Sequence, residues 1–135
     1  TPIDPVGTLD PYKRTEAETI AWSEGLKTKS SASVGVYVTS VHVNDYIRVR
    51  EVDFKKGAKS FEVSAASVSG GKIEIRLGNI DGQLLGVCNI NSTGGAEIWQ
   101  TFTTQVKKVK GVHDLYFVFK GGKGELFNLD YWKFK

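Results

Sequence analysis

The sequence lacks the residues on which several classes of protein depend. Its 135 residues include no methionine and one cysteine, Cys88, so no disulfide can form within the chain. Cys88 lies in an apolar run, which favours a small buried hydrophobe over a catalytic thiol. All three prolines fall within the first eleven residues. No apolar run is long enough to cross a membrane.

The missing initiator methionine and signal peptide indicate a module taken from a longer chain. We interpret residues 1–11 as a linker or lead-in and residues 12–135 as one domain, a length that suits a single core. The net charge of +3 is weak. The short basic clusters surround turns that contain glycine, so solvated loops are favoured over a nucleic-acid surface: Lys55, Lys56, Lys59, Lys107, Lys108 and Lys110.

Short alternating runs recur about every ten residues from Tyr12 onward and are separated by Gly, Asn, Asp and Ser. In residues 72–77, for example, Ile73, Ile75 and Leu77 alternate with polar residues. Residues 115–119 are apolar on both faces, which predicts a central strand. The pattern predicts an all-β fold of two packed antiparallel sheets, a jelly-roll β-sandwich.

Residues 16–27 are ambiguous. Ile20, Ala21 and Glu24 have the spacing of a short amphipathic helix, while the neighbouring residues suit a strand. The pattern alone leaves helix and strand open at this point.

Acidic residues near the two ends of the chain form a candidate metal site. Glu16 and Glu18 are two residues apart, so in a strand they point to the same side. If the first and last strands are neighbours, Asp130 joins them as a third oxygen donor for calcium. Solvated surface carboxylates remain the alternative.

Evidence for catalysis is missing. The acids Glu74, Glu97 and Glu125 have no pairing that suggests a glycosidase, and His42 and His113 lack metal-ligand spacing. Neither a nucleophile elbow nor a phosphate loop or dinucleotide fingerprint occurs. We therefore predict that the chain is not an enzyme.

Aromatic residues offer a binding function instead. Trp22, Trp99 and Trp132 accompany five tyrosines. The C–H faces of sugars stack on such rings, whereas their hydroxyls need partners such as Asn, Glu or Arg. For any single ring, a place in the core is the ordinary alternative.

Several segments in order resemble a family 6 carbohydrate-binding module of the type appended to family 43 glycoside hydrolases. They read TEAET, VNDYI, STGG, WQT, GVHDLYFVFKG and FNLDY, at residues 15–19, 43–47, 92–95, 99–101, 111–121 and 127–131. The resemblance covers nearly the whole chain from Tyr12. It implies a β-jelly roll with a strand at Glu16.

The resemblance also implies a structural calcium held by Glu16, Glu18 and Asp130. The implied protein is a non-catalytic, extracellular module, secreted as part of a larger enzyme that degrades the plant cell wall. Its partners would be a polysaccharide, xylan or related, and a catalytic glycoside hydrolase domain in the same chain. Nucleic acid and membrane are not expected as partners.

In this family a Tyr and a Trp sandwich a sugar at one edge, and an Asn near the C-terminus bonds it. Asn128 matches the Asn, but an alignment without gaps places Ser40 and Ala96 at the aromatic positions and makes Trp99 a core residue. We prefer this alignment because Gln100 and Thr101 continue the strand pattern.

An alternative alignment inserts residues 96–98. Trp99 is then the stacking residue and Phe102 the core residue. If both aromatic residues are lost, as in the alignment without gaps, Tyr37 and Trp22 are candidate substitutes from neighbouring loops.

Some members of the family use a second site on a sheet face. Here Tyr46 falls on an aromatic position of that site, with Glu74 and Arg76 as polar neighbours. Two functions follow from the resemblance. One is targeting of a hydrolase to xylan-type or other β-linked polysaccharides, and the other is a degenerate structural module that packs against its catalytic partner and stabilises it.

Overall fold

The computed structural model describes residues 11–12, 15–16, 22–24, 27–31, 35–39, 41–122 and 126–135. Within these ranges every regular element is a strand. The strands are β1 Thr15–Glu16, β2 Trp22–Glu24, β3 Lys27–Ser31, β4 Gly35–Thr39, β5 Tyr46–Asp53, β6 Ala58–Ser67, β7 Gly71–Leu77, β8 Gln83–Ile90, β9 Gly95–Val109, β10 Val112–Lys120 and β11 Asn128–Phe134. No helix in this part of the chain could span a membrane.

The strands form two antiparallel sheets, as the sequence predicts. One sheet has the order β3-β4-β11-β6-β9, with β1 beside β11, and the other has the order β2-β5-β10-β7-β8. Strand β10 is the middle strand of the second sheet, which confirms the central position predicted for residues 115–119. The strands β1 and β2 resolve the ambiguity of residues 16–27 in favour of strand wherever the structure describes them.

Alternate residues of the strands whose side chains are described fill the space between the sheets. Ile73, Ile75 and Leu77 of β7 belong to the buried core, as do Phe61 and Val63 of β6. Aromatic rings from the two sheets pack against each other through edge-to-face contacts. The ring centroids of Phe117 and Trp132, from opposite sheets, are 5.1 Å apart at an interplanar angle of 67°.

Cys88 is fully buried in this core. Burial raises the pKa of its thiol to about 11 because the thiolate would be desolvated. The residue is therefore a small packed hydrophobe, as predicted.

The edge strands of the two sheets lie against each other along one side of the sandwich. Thr104 of β9 donates its hydroxyl to the Val87 carbonyl of β8 at 3.2 Å. A Cβ at Gly86 would lie 2.9 Å from the Gln105 carbonyl oxygen, so glycine permits this approach. On this side of the sandwich, the edge strands β8 and β9 are therefore in direct contact.

Buried Ser67 ties together three loops at one end of the sandwich. Its hydroxyl donates to the Leu126 carbonyl at 2.5 Å and accepts from the Gly70 amide at 2.6 Å. Its own amide donates to the Thr93 hydroxyl at 3.0 Å. The loops that follow β6, β8 and β10 are thus held in fixed relation.

Among the described residues, Glu62 on the outer face of β6 is a carboxylate whose pKa differs from its ordinary value. Burial alone would raise its pKa. The hydrogen bond from the Tyr131 hydroxyl at 2.9 Å, the Lys135 ammonium at 3.3 Å and the charge of Lys133 outweigh burial and hold the pKa below its ordinary value of 4.5.

Glu62→Gln is expected to lower the melting temperature at pH 7 and to matter less in acid. Because the folded-state pKa is depressed, the stabilisation by Glu62 is present above the unfolded pKa of 4.5 and is lost as the pH falls through the folded value. Melting curves of both proteins between neutral pH and acid below that value measure the difference. A difference that stays constant across this window would contradict the assignment.

Candidate functional site

The outer face of the first sheet carries a row of residues near the loop end. Asn128 of β11 pairs with Ala66 of β6, and Ala66 pairs with Trp99 of β9. On its other side β11 meets β4, where the Thr39 hydroxyl donates to Asn128 Oδ1 at 2.7 Å. Asn128 is buried, with 7% of its surface exposed. This row contains Asn128, the residue that the resemblance assigns to the sugar site in the loops at one edge.

Two aromatic rings meet over this row. The centroids of Tyr37 on β4 and Trp99 on β9 are 5.2 Å apart at an interplanar angle of 71°. Since β11 and β6 lie between those strands, the rings cover the residues between them. This accounts for the burial of Ala66 and Asn128, both of which lie outside the hydrophobic core cluster.

The sequence predicts that Tyr37 supplies a substitute stacking ring from a loop, and the structure contradicts this prediction. Tyr37 lies within β4 and is 3% exposed. The pKa of its hydroxyl is raised by burial, and further by the charge of Glu97 and a hydrogen bond to it. Its ring packs edge-to-face against Trp99, and little of it is left exposed.

Trp22 is likewise not a neighbour of Asn128. It lies in β2, which belongs to the other sheet, and its cross-strand partner is Arg48. The structure describes its backbone alone. Its register position puts it in line with the second face considered below.

The preferred alignment for Trp99 is wrong. Phe102 pairs with Val63 and packs against the core, whereas Trp99 lies on the opposite face and is partly exposed. The pairing with β6 jumps from Trp99↔Ala66 to Gly95↔Ser67, so residues 96–98 bulge out of the ladder. These three residues are the insertion of the alternative alignment, in which Trp99 is the stacking residue and Phe102 the core residue.

The structure gives no side-chain position for Ser40 or Ala96, the residues at the aromatic positions in the alignment without gaps. Ser40 lies outside the described residues. Ala96 is in the bulge and is described by its backbone alone.

Asp130 lies where β11 changes partners. Leu129 pairs with Val38 of β4, and Tyr131 pairs with Glu16 of β1. A register shift against β6 falls between Leu129 and Tyr131, so Asp130 is the bulged residue and is 3% exposed. Asp130 thus lies one residue before Tyr131, the cross-strand partner of Glu16. A buried carboxylate at this position is the kind of oxygen ligand that calcium binds.

The rest of the predicted metal set is less well defined. Glu16 is described by its backbone alone, and Glu18 lies outside the described residues. Among the side chains that the structure does describe, no group of three His, Cys, Asp or Glu comes together.

The outer face of the second sheet forms a second candidate site. Tyr46, Val118 and Glu74 are cross-strand neighbours on β5, β10 and β7, and Arg48, Tyr116 and Arg76 form the next row. Val118 and Tyr116 are buried although they lie outside the core cluster, so they form the floor of this face. The rings of Tyr46 and Tyr116 are 6.0 Å apart and tilted by 36°.

The polar groups on this face are held in place. Arg76 Nη2 lies 3.0 Å from Glu74 Oε1, and Arg76 Nε donates to the same oxygen at 3.1 Å. Arg76 Nη1 donates to the Gly82 carbonyl at 2.9 Å. A guanidinium fixed by three contacts keeps further N–H groups for a ligand without losing side-chain entropy on binding. The sheet face thus brings together Tyr46, Glu74 and Arg76.

Tyr116 and Arg48 were missed as members of this face. Arg48 Nε is buried and has no hydrogen-bond partner within the described part of the chain. The signal for Tyr116 was its position in a central strand that is apolar on both faces. The signal for Arg48 was its place two residues after Tyr46, on the same side of the strand.

Sequence comparison connects this geometry to known proteins. A profile of the family described as carbohydrate binding module (family 6) matches residues 16–135. The arabinoxylan arabinofuranohydrolase of Bacillus subtilis (strain 168) is 45% identical, over 98% of this chain and 27% of that enzyme. The arabinoxylan arabinofuranohydrolase of Paenibacillus polymyxa is 41% identical, over 99% of this chain and 22% of that enzyme. The chain thus spans about a quarter of the length of these curated relatives.

Solved structures agree. The Bacillus subtilis family 43 arabinoxylan arabinofuranohydrolase in complex with cellotetraose superposes with a TM-score of 0.92 at 45% identity, over 98% of this chain and 29% of that one. A family 6 carbohydrate-binding module from Clostridium cellulolyticum in complex with xylose gives 0.91 at 38% identity, over 94% and 99%. With a profile that spans almost the whole sequence and a matching fold, the chain belongs to the family 6 carbohydrate-binding modules.

Proposed function

We propose that this chain is the non-catalytic module that holds a secreted glycoside hydrolase on xylan-type or other β-linked plant polysaccharides. The arabinoxylan arabinofuranohydrolases and an endo-1,4-β-xylanase of Thermoclostridium stercorarium among its relatives support this substrate class. The chain matches only a fraction of each enzyme, which supports a catalytic domain elsewhere in the same polypeptide. Binding would raise the local concentration of that domain on an insoluble substrate.

The observation that carries the proposal is the outer face of the second sheet. A sugar needs an accessible ring and polar groups that still have hydrogen-bonding capacity. Tyr46 is half-buried, and its ring stands beside Tyr116. The Glu74–Arg76 pair lies across the Val118 floor from Tyr46. We therefore assign the principal sugar site to this face.

The edge with Asn128 is a secondary site in this proposal. The amide oxygen of Asn128 already accepts from Thr39, and the residue lies beneath the Tyr37–Trp99 pair. A sugar there would contact the exposed part of Trp99, while Asn128 beside it is buried.

The alternative of a degenerate structural module gains no support. It calls for a large apolar docking patch. Among the described residues, the exposed large hydrophobics occupy five separate places in the chain: Val43, Val68, Ile80, Ile98 and Val112. Exposed apolar residues in this number are ordinary on protein surfaces.

A structural calcium is a further part of the proposal. Asp130, Glu16 and Glu18 would hold it where β11 changes partners from β4 to β1. The burial of Asp130 and the register position of Glu16 support this assignment. Bound there, the ion would fix the first strand to the last.

Tyr46→Leu is expected to weaken binding to soluble xylan about tenfold, because loss of the ring removes stacking energy of roughly 1 kcal/mol or more. Asn128→Ala is expected to change the affinity less than about threefold, since its oxygen is already engaged. Affinity electrophoresis against soluble xylans and β-glucans measures both variants.

Tyr46→Phe is the matched control for this experiment. It keeps the ring and should bind nearly as the wild type does. The reverse order, with Asn128→Ala the more damaging change, would move the principal site to the edge. Failure of the wild-type chain to bind any polysaccharide of the panel would refute the proposed function.

A further inference from the structure

A third row of residues lies on the outer face of the second sheet, at its loop end. Lys120 of β10 and Lys72 of β7 are direct cross-strand partners, and Lys72 also pairs with Asn89 of β8. Asn44 completes the row, since Lys120 Nζ donates to Asn44 Oδ1 at 2.8 Å. This row adjoins the one that contains Tyr46 and Glu74.

The charges of this row are unbalanced. Like charges directly opposite each other on one face of an antiparallel pair are destabilising. Within the described residues Lys72 has no acidic partner within salt-bridge distance. Glu74, the nearest acid along β7, forms its ion pair with Arg76 instead. An anion placed between Lys72 and Lys120 would relieve this repulsion.

A cavity opens beside Lys72. It has a volume of about 530 Å³ and is lined by residues 69–72, 89–92 and 121–122. This volume falls within the range of roughly 300–1,000 Å³ that is typical of small-molecule sites. Two of the loops that line it are hydrogen-bonded to Ser67, through the Gly70 amide and the Thr93 hydroxyl.

The lining decides the chemistry of the ligand. The described lining residues offer the Lys72 ammonium, the amides of Asn89 and Asn91 and the hydroxyls of Ser69 and Ser92, with neither an acid nor an aromatic ring among them. Such a set suits hydroxyls and a carboxylate, and it lacks a platform for a neutral sugar to stack on.

The geometry points to a subsite for a uronic acid, with its carboxylate on Lys72 and Lys120. This inference rests on the proposed function, because the polysaccharide backbone would lie on the Tyr46 face. Lys72 and Glu74 are two residues apart on one face of β7, which is about 6.6 Å along the strand. A glucuronosyl residue carried by the backbone would therefore reach the cavity while the backbone stays on the Tyr46 face.

The test compares glucuronic-acid-substituted xylan with the same polymer after chemical reduction of its carboxyl groups. The wild type is expected to bind the acidic polymer up to about fivefold more tightly at low ionic strength, as an exposed ion pair allows, and the preference should fade with added salt. Lys72→Gln should lose the preference and keep its affinity for the reduced polymer. Isothermal titration calorimetry measures all four affinities.

Lys107→Gln is the matched control, since it removes one exposed positive charge from β9. It should keep the preference. Equal binding of both polymers by the wild type, or an equal loss of preference in the Lys107 variant, would overturn the uronic acid subsite and leave the proposed function standing. Absence of binding to either polymer would overturn both.

Discussion

Gly82→Ala should lower the melting temperature by about 10 °C, which for a domain of this size corresponds to about 3 kcal/mol. Gly82 ends the turn between β7 and β8, where its amide donates to the Asn79 carbonyl at 2.9 Å. An added Cβ would overlap the carbonyl oxygen of Leu77 and approach its carbonyl carbon at 2.9 Å. These are backbone atoms, which cannot rotate away, so the turn itself must shift.

The same change should weaken polysaccharide binding. The Gly82 carbonyl accepts from Arg76 Nη1, so a displaced turn releases one of the three contacts that fix the guanidinium. Thermal melting followed by circular dichroism measures the stability, and affinity electrophoresis measures the binding.

Gly122→Ala is the matched control, because nothing lies within 4 Å of a Cβ built there. It should melt within about 2 °C of the wild type, as substitutions away from special features do. A Gly82→Ala protein that is as stable as the Gly122→Ala protein would show that the turn tolerates a side chain. The close approach of Gly82 to Leu77 would then be without consequence for stability.

Calcium should raise the melting temperature by about 10 °C relative to chelator. A ligand bound only by the native state stabilises it by about 2.7 kcal/mol when its free concentration is about 100-fold above Kd. The ion would be held by Glu16, Glu18 and Asp130, which join β1 to β11. Differential scanning calorimetry in millimolar calcium and in chelator measures the shift.

Asp130→Asn tests which residues hold the ion. Within this variant the calcium-dependent shift should largely disappear, whatever the substitution does to the stability of the metal-free protein. Asp81→Asn is the control, since Asp81 is an exposed residue of the turn between β7 and β8. Identical melting of the wild type with calcium and with chelator would remove the metal from the proposal.

The alternation of apolar residues predicted most of the fold. The patterns at residues 72–77 and 115–119 lie within β7 and β10. A period of two reports directly which side of a strand is buried. Each of these strands turns one side to the core, and β10 is buried on its outer side as well. The strand at Glu16 depended on the resemblance, because the local pattern suited a helix equally.

The candidate sites were harder to predict because they depend on register. The bulge at residues 96–98 moves Trp99 to the outer face, and a pattern of types along one strand does not reveal an insertion relative to its partner. Tyr37 was misplaced because its burial comes from Trp99, which lies far along the chain. Tyr116 joins Tyr46 and Arg48 through the pairing of two distant strands, β10 and β5.

The contact between β8 and β9 has a consequence for solubility. Strand β9 is 15 residues long and is the last strand of its sheet. A long free edge is a template for pairing with another chain and hence for aggregation. Here β8 lies against the middle of β9, the bulge interrupts its beginning, and Lys107 and Lys108 place charges near its end. These three features keep this edge from pairing with the same edge of another copy of the chain.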